Sequence, residues 1–193
     1  LDEPLAAVDV STRARLRRVL IDHLGRFPGP RLVITHDPAE AFALADRLAI
    51  IEGGRIVQAG HPAEIERHPA TPWVATLTGT NLLPGRSSSS MVTVDGADFV
   101  LTTASDREGP VNAIIDPRAV SLHRERPGGS PRNTWPSTVE WTEPLGPITR
   151  VRLGQPLPLN VDITPSSADA LGLGPGATVW AAVKATEIRV TDR

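Results

Sequence analysis

The spacing of apolar residues changes once along this chain, near residue 80, and that change decides what the chain can fold into. Upstream, Leu16, Val19, Leu20 and Leu24 fall at i, i+3, i+4 and i+8, one face of a helix, while Arg13, Arg15, Arg17 and Arg18 mostly face elsewhere. Downstream, Val179, Ala181 and Val183 alternate with Trp180, Ala182 and Lys184, the period of a strand with one buried face. The reading is an α/β segment over 1–80 followed by an all-β barrel of short strands over 81–193. A chain of 193 residues is long enough for two such small domains, each with a core.

Local signals fill in each half. Pro28 and Pro30 end the first helix, and residues 31–35 (RLVIT) read as a short buried strand. Asp37 is a candidate N-cap with Pro38 at the first helical position, and an Ala-rich helix continues through Glu40 to Ala45. Strands at 48–51 and 55–58 are joined by Glu52-Gly53-Gly54, a hairpin signal, and short helices near 63–67 and 73–77 close the segment. Beyond it come a serine run at 87–90, a Pro/Gly loop at 126–131, a brief helix near 166–171, and a Gly174-Pro175-Gly176 turn.

The β half also repeats itself. Asn81-Leu82-Leu83-Pro84 is similar to Asn133-Thr134-Trp135-Pro136, and VNAIIDPRAVSL from Val111 is similar to VWAAVKATEIRV from Val179. Two related β units, the second carrying an insertion, are expected to form one barrel.

Composition removes several classes of function. With 20 basic and 22 acidic residues, the chain lacks the basic excess of a non-specific nucleic-acid binder. It has no cysteine, hence no disulfides and no thiolate chemistry. Apolar runs such as 179–183 are far shorter than the roughly 20 residues of a membrane span, and no signal-peptide pattern is present. The reading is a soluble, cytoplasmic chain. Its only methionine is Met91, so Leu1 is not read as a translation start, and the chain is expected to be the C-terminal part of a longer protein. Its only lysine, Lys184, follows a valine, so it holds no G-x-x-x-x-G-K-[ST] phosphate loop.

Three short motifs at the start carry chemistry as an ordered set: Leu1-Asp2-Glu3-Pro4, Ala6-Ala7-Val8-Asp9 and Thr35-His36-Asp37. Singly, an Asp-Glu pair is usually a solvated surface pair and a histidine after a strand usually structural. Together they resemble the second half of the ATP-binding subunit of ABC transporters, from the end of the Walker B strand through the D-loop to the H-loop. ADRLAIIEGGRIVQAGHPAEI from Ala45 and Pro72-Trp73-Val74-Ala75 extend the resemblance over all of 1–80.

The resemblance implies that Asp2 holds Mg²⁺ through a coordinated water and that Glu3 is the general base on the attacking water. His36 would orient that water against the γ-phosphate of ATP, and Asp9 would reach across a head-to-tail homodimer. In this family the phosphate loop, Q-loop and signature motif lie upstream of Leu1. Gly53-Gly54 and Gly128-Gly129 have no LSGGQ-like context, and Ala6 stands where many relatives carry Ser. The resemblance implies that the parent hydrolyses ATP, while the chain by itself is expected to be inactive.

Ser130-Pro131-Arg132-Asn133, ITPSSADALGL from Ile163 and VWAAVKATEI from Val179 resemble the Mop module, a TOBE-type OB-like barrel, over about 128–190. Pro131 replaces the usual Ala. The resemblance implies a regulatory molybdate or tungstate site with donors from Ser130, Arg132, Asn133, Ser167 and Lys184, plus the backbone of Ala185. Hydroxyls, amide N–H groups and one or two cations are what a tetrahedral dianion requires. The alternative is a solvated Lys184 beside an ordinary turn. In this family the half-sites are completed across a barrel–barrel interface.

The parent would then work with a second copy of itself, membrane permease subunits and an external binding protein, at the cytoplasmic face of a membrane. Nucleic acid is not an expected partner. Asp116-Pro117-Arg118 lies where sugar-importer ATPases carry Arg-Pro-Glu, so sulfate, iron, polyamine or sugar remain alternative cargoes. A non-enzymatic oxyanion-binding module is the alternative from another class. His23, His61, His68 and His123 are too widely spaced to suggest a metal site.

Overall fold

The computed structural model describes residues 1–193, the side chain of Val10 excepted. The chain divides into two compact units, Leu1–Ala70 and Thr71–Arg193.

In the first unit, helix α1 (Val10–Arg26) begins where the Asp9 carboxylate accepts the Thr12 N–H at 3.0 Å, and it stops at Phe27, just before Pro28. Helix α2 (Pro38–Leu44) is capped as its sequence suggests, Asp37 accepting from the N–H groups of Ala39 and Glu40 with Pro38 in the first turn. Strands β1 (Leu48–Glu52) and β2 (Arg55–Gly60) form an antiparallel hairpin. Its two turn residues, Gly53 and Gly54, have φ of 57° and 77°, the left-handed pair that a two-residue hairpin turn requires. Helix α3 (Pro62–Arg67) follows.

Residues 31–35 differ from the sequence reading. They contribute one parallel bridge, Asp2 to Ile34, rather than a buried strand, and Leu32 is 74% exposed. The physical reason is local: the only ladder partner is the segment 1–3, through Ile34 N–H to Leu1 O and Glu3 N–H to Ile34 O. A single bridge cannot cover both faces of an apolar strand. Leu16, Leu20 and Leu24 on α1 are likewise only half-buried.

The second unit opens with α4 (Pro72–Thr78) and then runs through ten strands. The first five are β3 (Asn81–Ser88), β4 (Met91–Val94), β5 (Val100–Thr102), β6 (Gly109–Ile115) and β7 (Ser121–His123). The next five are β8 (Asn133–Leu145), β9 (Ile148–Leu153), β10 (Asn160–Ile163), β11 (Thr178–Val183) and β12 (Ile188–Asp192), with helix α5 (Pro165–Leu171) between β10 and β11. Short 3₁₀ turns, Pro117–Ala119 and Ala185–Glu187, precede β7 and β12. The serine run closes β3 and makes the tight turn to β4, with Ser89 and Ser90 at positive φ.

The repeat in the sequence is a repeat in the fold. The strands form two five-stranded sheets, β12-β6-β3-β4-β5 and β10-β9-β8-β11-β7, with the same internal order. Asn81 stands opposite Ile115 as Asn133 stands opposite Val183, and the registers agree from there along both ladders. The last strands are exchanged: β12 of the second repeat pairs with β6, and β7 of the first pairs with β11, again in equivalent register. Both sheets contribute to one core, which includes Leu83, Val92, Val111 and Ile115 from the first and Trp135, Val151, Val161 and Val183 from the second.

Two asparagines tie the repeats to each other. The Asn81 amide donates to the carbonyls of Ile115 (3.2 Å) and Asn160 (2.8 Å) and accepts the Asn160 N–H (2.8 Å). The Asn133 amide donates to Val183 (3.3 Å) and Thr102 (2.9 Å) and accepts the Thr102 N–H (2.7 Å). Each thus closes its own repeat and clamps the third strand of the other.

Candidate functional site

Two places bring chemically capable groups together. The first lies where residues 1–3 meet 34–36. Beyond the Asp2–Ile34 bridge, Glu3 turns through φ 46°, a conformation rare outside glycine, and Glu3 Oε1 lies 2.7 Å from His36 Nδ1. Residues 33 positions apart therefore form a hydrogen-bonded carboxylate–imidazole pair. Asp2 is exposed beside it.

The hydrogen bond that His36 donates to Glu3, then the Glu3 charge, raises the His36 pKa above the ordinary histidine value. A pKa raised in the folded state means that the pair's contribution is complete below about pH 6.5, the unfolded value, and is lost as pH rises through the folded value. Glu3→Gln should shift the His36 titration downward toward that of an ordinary histidine, which a proton-NMR titration of the imidazole would register; an unchanged titration would mean that the pair does not form in solution.

Neighbouring groups hold this corner. Asp37, the α2 cap, lies 3.9 Å from Arg13 and 3.7 Å from Arg17 on α1. Glu40 is buried and accepts the Thr35 hydroxyl at 2.8 Å. A glutamate in an Ala-rich helix looks solvated in sequence, and only the i−5 threonine hints otherwise. Asp9 is placed apart from the pair, at the start of α1. There the Ser11 hydroxyl, then the Thr12 N–H, lower its pKa to about 2, so it is ionised through the physiological range.

The second place is an end of the β8–β11 ladder. Asn133 and Val183 are its last paired residues, so Arg132 and Lys184 leave the sheet as neighbours. Ser130, Arg132 and Lys184 are exposed, and their side chains have no hydrogen-bond or ion-pair partner among the described residues. Lys184 precedes the 3₁₀ turn at Ala185 with extended backbone and without using its side chain as a cap. Asn133 differs from these three: it is buried, and both amide protons and the carbonyl are already engaged by backbone. Ser167 sits on α5, where its hydroxyl is 2.8 Å from that of Thr164. Among the described residues there is no cluster of three or more metal-ligating side chains, and no helix is long and apolar enough to cross a membrane.

Residues 129–190, which contain this end of the ladder, match the TOBE domain family. The chain is 36% identical over 197 residues to the molybdenum import ATP-binding protein ModC of Mycobacterium tuberculosis (strain ATCC 25618 / H37Rv), covering 97% of this chain and 53% of that protein. This chain is a relative of the ATP-binding subunits of ABC importers, and it carries a TOBE domain. The sulfate/thiosulfate import ATP-binding protein CysA 2 of Chromobacterium violaceum is 35% identical over 196 residues, covering 98% of this chain and 53% of that protein. The chain thus spans about half the length of the curated relatives it matches. Among solved structures, the cytoplasmic molybdate-binding protein ModG with molybdate bound is similar at a TM-score of 0.47 and 20% identity, over 58% of this chain and 96% of that one. At that level neither ligand nor detailed fold carries across.

Proposed function

We propose that this chain is part of the ATP-hydrolysing subunit of an importer for a tetrahedral oxyanion, molybdate or tungstate, and that the Arg132/Lys184 end senses the cargo. What supports the cargo reading most is the pair of unpartnered cations, Arg132 and Lys184, leaving one ladder end side by side within the TOBE match. Lys184 offers a rotatable point charge and Arg132 a planar fork, and the Ser130 hydroxyl and Ala185 N–H add neutral donors. Asn133 holds the loop through its three backbone bonds rather than touching the anion, and Ser167 would contribute only by releasing Thr164. A second copy of the chain completes the site.

Residues 1–80 are read as the α/β remainder of the nucleotide-binding domain, with permease subunits as partners at the inner face of the membrane. Asp2, exposed at the position before Glu3, would hold hydrated Mg²⁺ through a coordinated water, and the Glu3–His36 carboxylate–imidazole pair is suited to an attacking water. When bound, Mg²⁺ would neutralise phosphate charge. Glu3 would take the proton from water, and His36, held by Glu3, would orient that water. The phosphate cradle would come from residues outside this chain. In the full-length protein Glu3→Gln should lower ATP turnover by about 10²–10⁴-fold.

The cargo is tested by equilibrium dialysis of the chain against molybdate, with sulfate as competitor. Lys184→Ala should weaken molybdate by about 10- to 100-fold, the loss of one charge-assisted hydrogen bond. Sulfate binding tighter than molybdate would move the assignment to a sulfate importer, in keeping with the CysA 2 likeness.

A further inference from the structure

The pseudo-symmetry that matches Asn133 with Asn81 and Val183 with Ile115 carries the residues of the Lys184 end onto a second end of the same unit. Ser130, Arg132, Lys184 and Ala185 fall on Thr78, Thr80, Asp116 and Pro117. Granted the oxyanion reading of the Lys184 end, on which this step rests, we propose that the Asp116 end is closed to oxyanions. Each chain then offers a single oxyanion end, and anion-driven association joins two copies through their Lys184 ends and stops there.

Three observations separate the two ends. The first is charge. Lys184 and Asp116 occupy equivalent positions with nearly the same backbone, φ −74°, ψ 145° and φ −64°, ψ 130°, each opening a 3₁₀ turn. The lysine side chain makes no cap, whereas the Asp116 carboxylate accepts the Arg118 N–H at 2.8 Å. A fixed negative charge therefore stands where the other end has a free positive one. Arg118, the counterpart of Thr186, brings one cation, and Asp116 offsets it within the same turn.

Donors differ as well. The hydroxyls of Thr78 and Thr80 turn inward to the Ala75 carbonyl, at 3.0 and 3.5 Å, while the Ser130 hydroxyl is exposed without a partner. Helix α4 makes the third difference. Its C-terminus is built into the Asp116 end through left-handed Gly79, φ 71°, whose N–H donates to Ala75 and Thr76, and through Thr80 N–H to the Ala75 carbonyl at 2.8 Å. The last carbonyls of a helix carry partial negative charge, so an incoming anion would meet a carboxylate and a helix C-terminus together. A protein with one adhesive end forms a closed two-fold pair, whereas two such ends would allow chains to grow.

Titration calorimetry with sodium molybdate, paired with light scattering, tests this on the 193-residue chain and on Lys184→Ala and Asp116→Asn. Asparagine caps as well as aspartate, so Asp116→Asn keeps the turn. The expected result is at most one molybdate per chain and a mass that rises to that of a dimer and no further. Affinity should fall at least about 10-fold in Lys184→Ala and stay within about 2-fold in Asp116→Asn. A second equivalent of molybdate that survives Lys184→Ala, or assemblies that grow beyond two chains as molybdate is added, would overturn the one-ended assignment and leave the Lys184 site standing. No molybdate binding by the unmodified chain at millimolar concentration would overturn both.

Discussion

Asn133→Ala should destabilise the β unit by about 3–5 kcal/mol, out of proportion to the few atoms removed. The side chain is almost fully buried, and its loss removes the bonds it makes to the Thr102 N–H, the Thr102 carbonyl and the Val183 carbonyl. Each unsatisfied group costs about 1–3 kcal/mol, with partial relief where water reaches the edge strand β5. Because Asn81 makes the same three bonds in the other repeat, Asn81→Ala should cost a similar amount. Urea unfolding of both variants checks this, and a loss below about 1 kcal/mol in either would mean that the clamps do not hold β5 and β10.

Trp135→Ala should cost about 3–5 kcal/mol, the range for removing a large aromatic side chain from a core. Trp135 is 1% exposed, belongs to the core shared by the two sheets, and meets the Phe99 ring edge-on with centroids 5.2 Å apart. Its indole N–H is buried without a hydrogen-bond partner among the described residues, which sets up a contrast. Trp135→Phe deletes that unsatisfied donor along with some packing, so it should be far milder than Trp135→Ala. Equal losses in the two variants would show that packing at this position tolerates no reduction in size.

How much of this was legible beforehand differs from element to element for physical reasons. The caps at Asp37 and Pro38, the Gly53-Gly54 hairpin and the helix at 165–171 rest on local chemistry, and the structure has them where local chemistry puts them. The repeat was visible because Asn81 and Asn133, and the strands from Val111 and Val179, keep their spacing to the core. The exchange of β7 and β12 was not. Val120 and Leu122 present the same alternating face as Ile188 and Val190, so either strand satisfies either sheet by pattern alone. Residues 31–35 read as a buried strand because they are apolar, but burial depends on what lies alongside, and here that is one bridge.

The candidate site divides in the same way. Arg132 and Lys184 are picked out by the resemblance to the Mop module, with the chain's only lysine at a strand end adding weight, and only the structure shows that their side chains are unpartnered. Glu3 and His36 required the resemblance to suggest their meeting, since 33 residues separate them. The occupation of Asn133 was hidden, because an amide that binds an anion and one that clamps backbone are the same residue type. The buried Glu40 was hidden for a similar reason: its Thr35 partner looks like any strand-end threonine.

The central claim, that a tetrahedral oxyanion is held at the Arg132/Lys184 end of the TOBE domain, is tested most directly by anomalous X-ray scattering from molybdenum in crystals of this chain grown with molybdate. The account predicts an anomalous peak within hydrogen-bonding reach of Lys184 Nζ and the Arg132 guanidinium, on an interface with a second copy, and no peak beside Asp116. A peak elsewhere on the molecule, or none in crystals whose mother liquor holds millimolar molybdate, would contradict it.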